Sequence, residues 1–186
     1  LRRIGYLSSL IMRYQGVNGF RWWVFDVKQE AVRKLKASGI PYTIFYPTTF
    51  METLPAQVQA GRLLLGGTSD VRLWFVAAQD YGRQVARALR QTGTENTEYV
   101  VQGPEGLTYA QAAEVFVKNH SRRRLSVTVL PLGLLRFFGH FSRRANYGAH
   151  ILEALNCYPE HFEADRTWRD LGKPTTTLAE FARQAD

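Results

Sequence analysis

A chain of 186 residues with 45% hydrophobic content is long enough to bury a proper core and most simply forms one domain. Its formal charge of +8 admits an anionic partner. Yet the basic residues are spread out, apart from Arg122-Arg123-Arg124, and no helix-turn-helix, zinc-finger or RNA-binding signature accompanies them, so nucleic acid is not the expected ligand. One cysteine, Cys157, excludes an intrachain disulfide and a cysteine-based zinc cluster. The histidines His120, His140, His150 and His161 lack metal-ligand spacing, so a reducing, cytoplasmic setting and no metal are expected.

In chain order, Arg3-Ile4-Gly5-Tyr6-Leu7 is a short apolar run ending in Ser8-Ser9 and reads as a buried strand of the kind used in parallel sheets. Gln15 to Gly19 is a loop by composition. Asp26 to Ala37 is predicted to be a helix with Val27, Ala31 and Leu35 on its inner face, Asp26 as N-cap and Gly39 as stop. Tyr42 to Tyr46 is the next strand, and the right-handed crossover makes the two strands parallel. Leu54 to Ala60 reads as a short helix ending at Gly61. Arg62 to Leu65 and Leu73 to Val76 read as short strands around a Gly66-Gly67-Thr68 turn.

Asp80 is placed as the N-cap of a helix from Tyr81 to Arg90, with Val85, Ala86 and Leu89 inward and Gly93 after its end. Glu98 to Gln102 is a strand and Gly103 to Gly106 a turn. Thr108 caps a helix to about Lys118, with Gln111 completing a capping box. Leu125 to Leu130 is rich in strand formers. The remainder is mostly helical, broken near Tyr158-Pro159 and Gly172-Lys173-Pro174, with Thr177 capping a last helix through Arg183. The apolar stretch from Leu125 to Gly139 is interrupted by Pro131 and Arg136, and nothing reaches the roughly 18 apolar residues of a membrane span. The result is an α/β chain, residues 1–118, with a mostly helical C-terminal lobe, residues 119–186.

Six landmarks in this order resemble the NmrA-like branch of the atypical short-chain dehydrogenases/reductases. They are Tyr6-Leu7-Ser8-Ser9, Lys28 on a helix that leads to Ser38-Gly39-Ile40-Pro41-Tyr42-Thr43-Ile44, and Pro47-Thr48-Thr49-Phe50-Met51-Glu52-Thr53-Leu54. Then come Phe75-Val76-Ala77-Ala78-Gln79-Asp80-Tyr81-Gly82, Gly103-Pro104-Glu105-Gly106-Leu107-Thr108-Tyr109 and Leu171-Gly172-Lys173-Pro174-Thr175-Thr176-Thr177-Leu178-Ala179-Glu180-Phe181. The resemblance implies a Rossmann-type parallel sheet that binds NAD(P). The family's opening glycine-rich loop, which cradles a pyrophosphate at a helix N-terminus, has no counterpart here. The chain is therefore expected to start at the family's fifth strand, and NADP or NAD binding is expected only if an N-terminal half is present.

By the same resemblance, Lys28 holds the nicotinamide ribose. The proton-donating tyrosine of related reductases would stand four residues earlier, where this chain has Val24, so no catalytic residue is assigned. Ser8, with Ser9 beside it, ends a strand where the superfamily places a serine, and Phe50, Met51, Glu52 and Thr53 form the loop that covers the nicotinamide. Tyr46 stands where the family usually has an arginine. Trp22, Trp23 and Phe25 are read as packing, with a possible place in a substrate pocket. Asp80 and Thr108 are read as caps. Three functions stay open: an oxidoreductase acting on a small carbonyl or quinone, a non-catalytic redox sensor with NAD(P)H and a regulatory protein as partners, and a truncated interaction module without cofactor. The residues that would read the 2′ position lie on strands this chain lacks, so NAD and NADP are not separated.

Overall fold

The structure, a computed structural model, describes residues 2–122, 124–139 and 141–185. In chain order its elements are β1 (Ile4–Leu7), α1 (Trp23–Ala37), β2 (Tyr42–Pro47), α2 (Thr53–Ala56), β3 (Val58–Gln59), β4 (Arg62–Gly66), β5 (Arg72–Leu73) and α3 (Ala78–Arg90). They continue with β6 (Thr97–Val101), β7 (Leu107–Thr108), α4 (Tyr109–Asn119), β8 (Ser126–Leu130), α5 (Leu132–Gly139), α6 (Arg143–Cys157), α7 (Asp165–Leu171) and α8 (Leu178–Gln184). Two 3-10 turns, Leu10–Tyr14 and Val17–Gly19, join β1 to α1. Among the described residues no helix is long and apolar enough to cross a membrane.

The chain is α/β, built on a parallel sheet in the order β1-β2-β6. β2 is central, and Thr43 through Pro47 are all buried. An unbroken apolar run suits a strand covered on both faces. Its register sets Ile4 opposite Tyr42 on one side and Thr43 opposite Thr97 on the other. β1 departs from the sequence reading. It is parallel to β2, but its residues alternate between half-buried and exposed, and Leu7 is 49% exposed. Among the described residues only β2 pairs with it.

Helix α1 also starts earlier than the sequence suggests. Trp22 is its N-cap, and its amide is taken up by Gln15 Oε1 at 3.0 Å. Asp26 sits in the first turn, where its charge favours the positive helix end, and accepts a bond from Gln15 Nε2. The inner face is Phe25, Lys28, Val32 and Leu35, at the i, i+3, i+7, i+10 spacing of one helical stripe. Val27 instead points outward, 58% exposed. A similar rotation occurs in α3. Ala77 is its N-cap, Gln84 and Ala88 face inward, and Leu89 is largely exposed while lying over Gly5 of β1. Asp80 lies one turn inside, where it accepts from the Thr176 amide and pairs with Arg83.

The middle of the chain folds differently from its local reading. The expected helix Leu54 to Ala60 stops at Ala56; Val58–Gln59 pairs back on Arg62–Leu63 through the turn Ala60-Gly61, both at positive φ. β4 does not pair with β5 across Gly66-Gly67. It pairs in parallel with β8, sixty-odd residues on, while β5 pairs antiparallel with β7. A core of Leu63, Leu65, Phe75, Ala112, Phe116 and Leu178 gathers this second sheet with α4 and α8. The expected division at 118/119 falls at the end of α4, and β8 beyond it pairs with β4 before it. The capping box of Thr108 with Gln111 forms as expected; Thr177 caps the last helix as expected and, beyond that expectation, completes a box with Glu180.

Candidate functional site

Because β1 and β2 are parallel, their carboxyl ends open on the same side, the position at which open α/β sheets hold ligands. A cavity of about 340 Å³ lies there. Leu7, Ser8 and Ser9 come from the end of β1, and Pro47, Thr48, Thr49 and Phe50 from the end of β2. The inner face of α1 adds Trp22, Val24, Phe25 and Lys28, and α6 closes the far side with Tyr147, Ile151 and Leu155. The walls are mainly apolar, so a polar group left unpaired inside carries a large energetic weight.

Lys28 and Ser9 supply such groups. Lys28 is half-buried and makes no hydrogen bond or ion pair among the described residues. Burial pushes its ammonium below the ordinary lysine value, as expected of a cation losing water without gaining an anion. Ser9 Oγ is buried and has no hydrogen-bond partner. Ser8, its neighbour, turns its hydroxyl to Met12 Sδ at 3.2 Å, and its amide continues the sheet to Phe45 O at 2.8 Å.

The loop Phe50 to Thr53 splits. Phe50 lines the cavity and is braced edge-on by Tyr81, at 5.4 Å between ring centroids. Burial pushes the Tyr81 phenol up to about 12. Thr53 lines it too, but its hydroxyl is used by Phe50 O at 2.7 Å. Met51 points the other way into the second core and is 1% exposed. Glu52 accepts a bond from the Ala78 amide at 2.9 Å, at the start of α3. Consecutive residues entering a helical turn cannot all face one side, and these two serve the loop's anchorage. Val24 lines the cavity one turn from Lys28. Of the aromatic cluster, Trp22 and Phe25 line it, while Trp23 stands outside, 68% exposed.

Sequence reasoning missed Glu160. Its side chain lines the cavity and is 7% exposed. Oε1 accepts from Gln102 Nε2 at 2.8 Å, from Thr48 Oγ1 at 2.9 Å and from the Trp74 amide at 3.2 Å; Oε2 takes Thr48 Oγ1 at 2.7 Å. Burial pushes its carboxyl above the ordinary range, and those donors only partly oppose the shift. The sequence signal was thin: Tyr158-Pro159 marks a break, and nothing local shows that the next residue turns inward.

Tyr46, in the place of the family's usual arginine, donates to Glu98 Oε2 at 2.7 Å, and Lys36 holds Glu98 at 2.6 Å. The Arg13 guanidinium stands 5.7 Å over the Tyr46 ring. His150 stacks on Trp22 and His120 on Phe116. Among the described residues no group of His, Cys, Asp and Glu could hold a metal. His140 and Arg123 lie outside the described residues.

The fold is similar to that of solved reductases and of an epimerase. A nucleoside-diphosphate-sugar epimerase from Staphylococcus aureus superposes with a TM-score of 0.76 at 18% identity, over 98% of this chain and 65% of its own. An NADPH-dependent quinone oxidoreductase from Escherichia coli, complexed with NADPH, gives 0.76 at 23% identity, over 99% and 65%. In sequence, the uncharacterized oxidoreductase YesF of Bacillus subtilis is 28% identical over 189 residues, 97% of this chain and 64% of the relative. Festuclavine synthase I of Penicillium roqueforti is 33% identical over 82 residues, 41% of this chain and 29% of its own. No family model matches the chain. The chain thus spans less than two thirds of the length of these relatives.

Proposed function

We propose that this chain is the nicotinamide- and substrate-facing part of an NmrA-like, NAD(P)(H)-dependent oxidoreductase that acts in the cytoplasm on a small carbonyl or quinone. One observation carries the reading: an unpartnered, partly desolvated ammonium, Lys28, and an unpartnered buried hydroxyl, Ser9, share one apolar cavity at the carboxyl ends of two parallel strands. That pair suits a polyhydroxylated sugar and a carbonyl oxygen better than a structural role, which would leave both groups uncompensated. The NADPH-bound relative with the same fold points to the same cofactor class.

A nicotinamide dinucleotide, when bound, supplies hydride chemistry. The residues of this chain would do the rest. Lys28 donates hydrogen bonds to ribose hydroxyls. Ser9 donates to the substrate oxygen and steadies the negative charge that develops there. Phe50 and Thr53 cover the ring, and Trp22, Phe25 and Ile151 keep water away from the reacting atoms. Met51 and Glu52 act indirectly, by fixing the loop from behind.

The test is an NADPH titration of the purified protein by calorimetry, followed by NADPH oxidation against a quinone panel. Lys28→Met should keep the fold and weaken NADPH by about tenfold or more, the loss of one charge-assisted hydrogen bond. Absence of any NADPH binding by the protein at its natural length, any N-terminal half included, would defeat the proposal. Val24, in place of a proton-donating tyrosine, favours one second reading, a redox sensor. NADPH binding without turnover of any quinone would select it.

A further inference from the structure

A second cavity, of about 550 Å³, adjoins the first and shares two of its walls, Trp22 and Tyr147. These two rings meet edge-on at 4.8 Å, forming the rim between the chambers. The outer chamber is lined by Trp23, Phe141, Arg143 and Asn146 as well. Trp23 is 68% exposed and Phe141 79%. Single exposed aromatics are ordinary, but several turned onto one concavity mark a binding surface. Flat rings in the lining suit a planar π-system, which gains from stacked and edge-on contacts. Among the described residues Arg143 is the one charged side chain lining the chamber, and no carboxylate lines it. A guanidinium matches a carboxylate or sulfonate in shape as well as charge, and Arg143 opens α6, whose positive end adds to the same field.

We propose that the outer chamber is a substrate subsite for a planar, fused-ring aromatic compound carrying an anionic group. The ring system lies between Trp23 and Phe141, its acidic substituent pairs with Arg143, and its reactive carbonyl passes the Trp22–Tyr147 rim towards Ser9 and Lys28. The assignment rests on the reading of the inner cavity as the reaction site, but its test does not need turnover.

The probes are anthraquinone-2-carboxylate and its neutral primary amide, which share a ring system and differ in charge. Each is titrated calorimetrically into the protein without cofactor. The carboxylate should bind about tenfold tighter than the amide. Arg143→Gln should abolish that preference while leaving the amide's affinity within about twofold. Phe141→Ala and Trp23→Ala should weaken both probes alike. Arg90→Gln, which removes the same charge at the exposed end of α3, should leave the preference intact. Equal affinities for acid and amide, no measurable binding of either, or an equal loss in Arg143→Gln and Arg90→Gln would overturn the subsite. Charge-selective binding without NADPH turnover would defeat the oxidoreductase reading alone. Turnover of small quinones without charge selectivity would defeat the subsite alone.

Discussion

The two walls of the inner cavity were built by different means. The sheet-side wall, Ser8, Ser9, Lys28 and Phe50, comes from strand ends and from the helix that joins those strands. Its residues lie within about one β-α-β unit, and the rules of parallel crossovers place them together. The lobe-side wall, Tyr147, Ile151, Leu155 and Glu160, arrives from far downstream in the chain. It is held by Glu160, whose bonds to Thr48 and Gln102 span 112 and 58 residues. The first wall carries the unpaired polar groups that a ligand would use. The second carries a polar group whose bonding is complete, and so it closes the site. On the proposed reading, the unsatisfied polar groups serve a ligand and the satisfied ones fix a shape.

The joint between the walls is where the comparison is easiest to break. Gly103 follows β6 and backs onto the strand-like segment before α3. A Cβ built there would stand 1.6 Å from Phe75 O, and the backbone carbonyl cannot yield as a side-chain end could. Gly103→Ala should therefore force the two segments apart and cost upwards of about 3 kcal/mol, the largest loss expected of any single substitution here. Urea unfolding would show it, and a cost below about 1 kcal/mol would mean that the walls are not locked at this point.

Glu160 separates shape from charge. Glu160→Leu leaves the Trp74 amide, the Thr48 hydroxyl and the Gln102 amide without their acceptor and should cost roughly 2–3 kcal/mol. Glu160→Gln keeps an acceptor for those donors and should be nearly neutral. The pH dependence has a definite sign. Burial raises the folded carboxyl above its ordinary value of 4.5. As pH rises past 4.5 the unfolded chain releases this proton first, so stability declines until the folded group has ionised as well. That decline should vanish in Glu160→Gln. Parallel stability–pH curves for the two proteins would refute the assignment of the decline to this carboxyl.

What the sequence made legible follows the same line. Features set by a few neighbouring residues could be read: the capping box at Thr108, the cap at Thr177, the stop at Gly39, the β1–α1–β2 unit and Lys28 within it. Features set by distant partners could not. Val27 looks like a core residue by spacing, yet Trp22 and Phe25 rotate the helix so that it faces outward. The pairing of β4 with β8 rather than β5 depends on a strand that the local pattern cannot see. Glu160 has no local mark, because its burial is decided by Thr48, Trp74 and Gln102, each on another part of the chain.

The most legible feature should also be among the least costly to remove. Thr108 Oγ1 accepts from the Gln111 amide at 3.1 Å, and the Thr108 amide donates in return to Gln111 Oε1 at 3.0 Å. Both bonds lie at the exposed start of α4, where water can replace them. Thr108→Ala should cost about 1 kcal/mol, less than half the effect of Glu160→Leu, and leave ligand affinity at the inner cavity unchanged, since α4 packs in the second core away from Lys28. A loss as large as that of Glu160→Leu would mean that local order in α4, rather than the long-range polar cluster, sets the lobe's position. Equal unfolding midpoints for Thr108→Ala and the unaltered protein would instead show that α4 is held by Ala112, Ala113 and Phe116 alone, the buried face that meets Leu178 and Ala182 of α8.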